Sequence, residues 1–181
     1  VTLARRAGLF TLVSFVSIAI DQWTKQLATA ALKDQASVTY LADVFRLSWA
    51  TNEGAFLSLG ASLGPQARYW LLTLGVGALL LGLSAYALFS KKLDLFQVGS
   101  YALIASGGFS NWIDRARFGG VVVDFMSIAV GRFPLTGVFN IADIAIVAGI
   151  ILLFIHGWRT EQRLAAQKKQ AEDQAKKPAA T

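Results

Sequence analysis

Six ionisable residues stand where ionisable residues are expensive. Asp21 and Lys25 close one apolar stretch, Asp114 and Arg115 follow another, Asp143 is the only charge in a third, and Asp124 lies in the loop before it. A charged side chain at the centre of a membrane-spanning helix costs on the order of 2.5–3.5 kcal/mol on insertion scales, and those retained face a protein interior. The spacing groups them. Asp21 and Lys25 are four residues apart, so a helix puts them on one face as a pair. Asn111 has that relation to Arg115 and is three residues from Asp114, while Asn140 and Asp143 are also three apart. With Lys25 and Arg115 assigned to near neighbours, Asp124 and Asp143 have no spare cation. Two carboxyls held at about 3 Å share one proton, because both cannot ionise. The ionised one activates a water and the protonated one polarises an amide carbonyl. That is aspartic peptidase chemistry, which calls for no cofactor; the composition permits it without demanding it, and a Ser-Lys pair is the alternative.

Composition narrows the field around those residues. The 181 residues are 55% hydrophobic and only 15% charged, with no cysteine and one histidine, His156. A soluble domain carries about a quarter charged residues. Disulfide frameworks, thiolate metal sites and cysteine nucleophiles are excluded, and any Ser-His-Asp triad would have to use His156.

The elements that must position the six residues are apolar runs. Residues 69–90 and 95–113 carry no charge over 22 and 19 positions, enough to cross roughly 30 Å of hydrocarbon at 1.5 Å per residue. Residues 8–28 and 134–158 complete a set of four expected transmembrane helices. The first has a rival reading as a signal peptide, with Arg5 and Arg6 as its basic region and Ala28-Thr29-Ala30 as a cleavage site. Asp21 and Lys25 interrupt the apolar run and argue against cleavage.

Grouping both termini with the Lys91-Lys92 turn puts ten basic residues on one side and seven on the other. The positive-inside rule then sets both termini in the cytoplasm. Between the first two spans, about 29–67, residues 38–49 are rich in β-branched and aromatic side chains and read as a strand. Leu41, Asp43, Phe45, Leu47 and Trp49 fall on one face. The expected fold is an all-α integral membrane protein of four transmembrane helices with a small β-sheet on the extracytoplasmic surface. Residues 1–158 form the membrane domain, with the β insertion at about 29–67. Residues 159–181 form a basic cytoplasmic tail, either solvated helix or disorder.

Four segments carry a resemblance. Asp21-Gln22-Trp23-Thr24-Lys25 is the first, and Asn52-Glu53-Gly54-Ala55-Phe56 the second. The third runs from Gly107 through Gly108, Phe109, Ser110, Asn111, Trp112, Ile113 and Asp114 to Arg115. The fourth joins Val123-Asp124-Phe125 to Phe139-Asn140-Ile141-Ala142-Asp143. Each is weak alone, but in this order across four spans they resemble bacterial lipoprotein signal peptidase, the signal peptidase II family, over roughly residues 8 to 158. The resemblance implies a cofactor-free aspartic endopeptidase of the bacterial inner membrane, its active site at the outer face. Such an enzyme cuts prolipoproteins just before a diacylglyceryl-modified cysteine. Asp124 and Asp143 would be the catalytic dyad. Asn52, Gly54, Gly108, Asn111, Arg115, Val122, Phe139 and Asn140 would meet the substrate. Asp21, Lys25 and Asp114 would buttress the site, with no metal. The implied partners are the prolipoprotein and membrane lipids, not nucleic acid, and the implied state is a monomer. Two departures stand out: Ser110 occupies a position usually glycine, and a single Ala55 precedes Phe56 where relatives often have two alanines.

Three other readings use the same residues. A carrier would need Asp21, Asp114, Asp124 and Asp143 at several depths, whereas they are expected near one plane. An assembly subunit would use the polar groups only for helix packing. Ser-Lys chemistry with Lys25 as base would need Ser58 or Ser110 as nucleophile, which no motif supports.

Overall fold

The computed structural model describes residues 1–53, 64–130 and 133–175. Helix α1 is Leu3–Leu32; α2 (Pro65–Trp70), a π-helical turn (Leu71–Gly75) and α3 (Val76–Phe89) follow one another without a break. Helix α4 is Leu95–Arg117 and α5 is Ile141–Ala175. Four strands, β1 (Val38–Tyr40), β2 (Phe45–Asn52), β3 (Val122–Val130) and β4 (Phe133–Pro134), form one antiparallel sheet in sequence order.

The burial pattern of α1 is the reverse of a water-soluble helix. Its buried residues are Arg6, Asp21, Lys25 and Ala28, while Leu12 and Phe15 are 62% and 71% exposed. Hydrocarbon solvates the apolar side chains of such a helix, and the polar ones turn inward to find partners. Helices α1 and α5 are both long and apolar enough to cross a membrane.

Helix α4 is the hub, packed on α1, α3 and α5. It buries mostly small side chains, among them Ser100, Ala102, Ala105, Ser106, Gly107 and Ser110. Helices without a hydrophobic drive between them associate by close backbone approach over such residues. A Cβ on Gly107 would lie 2.3 Å from Ala142 O, and one on Gly149 would lie 2.6 Å from Ser100 O, so α4 and α5 meet at two glycine contacts.

The ends of α4 are defined by caps. Asp94 and Gln97 form a capping box at its start, and Asp94 also meets His156 of α5 at 3.1 Å, where Phe96 stacks on the imidazole. The far end stops at Gly119 and Gly120, whose φ values of 68° and 103° belong to the left-handed region. That turn sends the chain into β3. At the base of the bundle Arg6 donates from both terminal guanidinium nitrogens, to Ser90 O and to Leu93 O at 2.6 Å, tying α1 to the α3–α4 turn.

The sheet sits on the C-terminal end of α1. Ala28 packs with Phe125 and Met126, flanked by Leu32, Phe45, Leu47, Phe139 and Ile141. Trp49 Nε1 donates to Thr29 Oγ1 at 3.2 Å, and Lys33 lies over the Trp49 ring.

Three expectations need correction. The strand expected over 38–49 is two strands, because Leu41, Ala42 and Asp43 all have positive φ and turn the chain between β1 and β2. Asp43 and Arg46 pair at 2.5 Å across that turn, a local contact that period-two alternation does not reveal. The last helix begins at Ile141 rather than near residue 134, since Phe133–Pro134 extends the sheet and Phe139 bridges to Met126. Asp124, expected in the loop before the last span, lies on strand β3. The expected tail continues α5 as helix to Ala175.

Candidate active site

The polar residues of four elements converge where α4 ends, α5 begins and β3 passes between them. Asp143 lies in the first turn of α5, where the helix dipole favours a carboxylate. Asn140 precedes the helix and caps it: Asp143 N donates to Asn140 Oδ1 at 3.0 Å, and Asn140 N donates to Asp143 Oδ2 at 3.1 Å. This reciprocal pairing is a capping box built from Asn and Asp. The Nδ2 end of the Asn140 side chain, which is 0% exposed, points the other way. Its Nδ2 donates to Asp124 Oδ1 at 2.6 Å, to Asn111 Oδ1 at 3.0 Å and to Val123 O at 3.2 Å. One asparagine thus holds both aspartates.

Each carboxylate has a second amide donor. Asn111 Nδ2 donates to Asp143 Oδ1 at 2.9 Å, and Asn52 Nδ2, from the end of β2, donates to Asp124 Oδ2 at 3.2 Å. Asp124 is buried at 2% exposure. Burial and the charge of Asp143 push its carboxyl up to about 6, against the Asn52 and Asn140 hydrogen bonds and the charge of Lys25. Arg115, half-buried at the end of α4, lies within electrostatic reach of Asp124, Asp143 and Asp114. Asp124 and Asp143 are thus linked through Asn140 and interact electrostatically, with the Asp124 carboxyl raised toward the range in which it can hold a proton.

Beneath the pair is a second layer. Lys25 is 4% exposed, and its ammonium meets Asp21 Oδ2, Asp114 Oδ2 and Asn111 Oδ1, each at 2.8 Å. Asp21 also accepts from Ser110 Oγ and from Ala142 N, both at 2.7 Å. Asp114 accepts from Gln22 Nε2 at 2.8 Å and from Val123 N at 3.2 Å. These bonds join α1 and α4 to Val123 and Ala142, the residues that immediately precede the two carboxyls. A buried ion cluster stands only with its lone pairs and protons satisfied, as here.

Most of the expected site residues come together. Asp21 and Lys25 pair as their spacing requires, and Asn52, Asp114, Arg115, Asn111, Asn140, Asp124 and Asp143 surround one point. Val122 is buried opposite Asn52 in the β2–β3 ladder, and Phe139 packs in the apolar cluster under the sheet. Gly108 faces α3: a Cβ there would meet Leu80 Cδ2 at 2.3 Å, so its contact is helix packing. Gly54 and Ser58 lie outside the described residues. Gln22 and Ser110 were not recognised as site residues. Their signal was present, since Gln22 adjoins Asp21 and Ser110 is one helical turn before Asp114. Trp112, beside Asn111, donates to Thr73 O in the π-helical turn at 2.6 Å. Among the described residues no group of three His, Cys, Asp or Glu side chains is arranged to hold a metal.

A carboxyl pair within a bundle of inward-polar, outward-apolar helices defines the class: an aspartic peptidase of the membrane. The profile of the signal peptidase (SPase) II family matches residues 13–159, and the chain belongs to that family. The lipoprotein signal peptidase of Pelodictyon phaeoclathratiforme is 37% identical over 155 residues, covering 81% of this chain and 88% of that one. That of Gloeobacter violaceus is 34% identical over 172 residues, covering 95% and 94%. The fold is similar to solved structures of a bacterial membrane enzyme obtained by the in meso method. One has 23% identity and a TM-score of 0.68, covering 96% of this chain and 94% of that one; another has 24% and 0.70, covering 82% and 92%.

Proposed function

We propose that Asp124 and Asp143 are the catalytic dyad of a peptidase that removes signal peptides from prolipoproteins, cutting just before a diacylglyceryl-modified cysteine. The observation that carries this reading is the shared hold of Asn140 on both carboxylates, at 2.6 Å and 3.1 Å. The ionised carboxyl takes a proton from water as it attacks the scissile carbonyl, and the protonated one hydrogen-bonds the developing oxyanion. The proton is then passed to the leaving amine, so no covalent intermediate forms.

Around the dyad, Asn52, Asn111, Asn140 and Arg115 meet polar groups of the substrate backbone. Gly54 helps to hold the substrate backbone, Gly108 keeps α4 close to α3, and Val122 and Phe139 border the apolar path of the lipid tails. Asp21, Lys25 and Asp114 hold the site together. The chain crosses the membrane four times, with residues 1–158 as the membrane domain and 159–181 as its cytoplasmic tail. The 23-residue length of α4, about 35 Å at 1.5 Å per residue, and its packing on three other helices support this count. Both termini are cytoplasmic and the dyad is at the outer face of the bacterial inner membrane. There the cysteine of a membrane-held prolipoprotein emerges from the bilayer. The enzyme acts as a monomer without nucleic acid.

The test is gel-shift cleavage of a purified diacylglyceryl prolipoprotein. Asp124→Asn and Asp143→Asn should each lose cleavage by at least about 10³-fold while eluting as folded protein in detergent. Retained cleavage in either would remove that residue from the chemistry.

A further inference from the structure

Lysine has three donors and no acceptor, whereas an asparagine amide presents a donor at one end and an acceptor at the other. All three donors of Lys25 are used, on Asp21, Asp114 and Asn111. The Asn111 oxygen is therefore held toward Lys25, and its nitrogen must face Asp143, to which it donates at 2.9 Å. Asn140 follows from Asn111. Its nitrogen donates to that same Asn111 oxygen and to Asp124, and its oxygen is left to accept from Asp143 N. Every amide in the chain from Lys25 to the dyad then presents an N–H to a carboxylate.

We propose that Lys25 is a positioning residue for the dyad: by fixing the sense of the Asn111 and Asn140 amides it keeps one of the two carboxyls ionised and ready to activate water. The inference rests on the peptidase reading above. An N–H directed at a carboxyl oxygen is satisfied best by the acceptor-only ionised form. Without the lysine, the Asn111 oxygen keeps only the Asn140 donor, and the amide can turn its oxygen toward Asp143, a geometry that a protonated carboxyl satisfies by donating. The dyad then holds both protons to higher pH, and the base is missing where the wild type has one.

The charges facing this relay come from every element around it: Asp21 and Lys25 from α1, Asp114 and Arg115 from α4, Asp124 from β3 and Asp143 from α5. The positive charge of Lys25 acts in the same direction as the amide geometry, since a nearby cation favours the ionised carboxyl.

The experiment is the pH profile of kcat/KM for prolipoprotein cleavage. Lys25→Met leaves Asp21 and Asp114 without their cation, so Asp21→Asn combined with Lys25→Met is made beside it to remove the ion pair as a unit. Both should move the acid limb of the profile upward by about one pH unit, so that cleavage there falls about tenfold relative to each variant's own maximum. Lys25→Arg, which keeps a donor-only cation, should restore the wild-type position. Asn111→Leu ends the relay with Lys25 in place and should show the same displacement. A profile that keeps its wild-type position in Asn111→Leu, or in a folded Lys25 variant, overturns the proposal and leaves Lys25 a structural residue. If the Lys25 variants do not fold, Asn111→Leu decides alone. An inactive wild type, or active Asp124→Asn, would instead sink the peptidase reading on which the inference rests.

Discussion

Asn140 and Asp143 cap one another at the first turn of α5, through bonds of 3.1 and 3.0 Å, so the start of the helix and the position of the carboxylate are one structural fact. The same Asn140 reaches Asp124 with its side chain. Asn140→Ala should therefore lower stability by about 1 kcal/mol, as expected for a lost cap, and cleavage by far more. Thermal unfolding in detergent and kcat/KM, measured on the same preparation, separate the two effects. Equal small losses in both would show that Asn140 only caps the helix.

Asp124 makes stability depend on pH. Its carboxyl is held up to about 6, above the ordinary 3.8, by burial and by Asp143. The folded state therefore binds this proton more tightly than the unfolded chain. This stabilisation is fully present below about pH 4 and is lost as pH rises to and through about 6, an effect on the order of 1–3 kcal/mol. The apparent melting temperature of the wild type should fall across that window. In Asp124→Asn the slope should flatten; an unchanged slope would mean that another group carries it.

Two glycines of the α4–α5 contact should respond differently. Adding a methyl at Gly107 meets the backbone oxygen of Ala142 at 2.3 Å, next to Asp143, whereas Gly149 meets Ser100 O at 2.6 Å, farther from the dyad. Both alanine variants should lose about 1–3 kcal/mol of stability through overpacking. Gly107→Ala should also lose cleavage at temperatures where the protein is still folded, while Gly149→Ala should not. Gly8, with nothing within 4 Å of an added Cβ, supplies the silent control.

Arg6 is a stability residue remote from the chemistry. Its guanidinium satisfies Ser90 O and Leu93 O at the turn between α3 and α4 while only 5% exposed. Arg6→Met keeps the aliphatic stem but leaves those carbonyls without their donor, at a cost of about 1–3 kcal/mol. Unfolding should shift while kcat/KM of the folded enzyme stays the same. A change in kcat/KM would show coupling from this end of the bundle to the dyad.

What could be read along the chain were properties of single segments. The apolar runs marked helical segments, and the four-residue spacing of Asp21 and Lys25 was enough to place the ion pair on one face, because helix geometry is local. The absence of cysteine, the single histidine and the ordered polar segments narrowed the chemistry to carboxylates. Local spacing failed where the decisive bonds join distant segments. Asn140 looked like a helical partner of Asp143, yet it lies before the helix, because Phe139 is drawn into a bridge with Met126. The break between β1 and β2 depends on three consecutive positive φ values that alternation of side chains does not encode. Ser110 looked like a departure from glycine, but in the folded chain its hydroxyl donates to Asp21. Sequence alone determined which residues are too costly to leave unpaired in an apolar setting. Only the tertiary structure decided their partners, because Lys25, Asn111, Asn140 and the two aspartates meet across α1, α4, β3 and α5, where the sense of each hydrogen bond depends on the next.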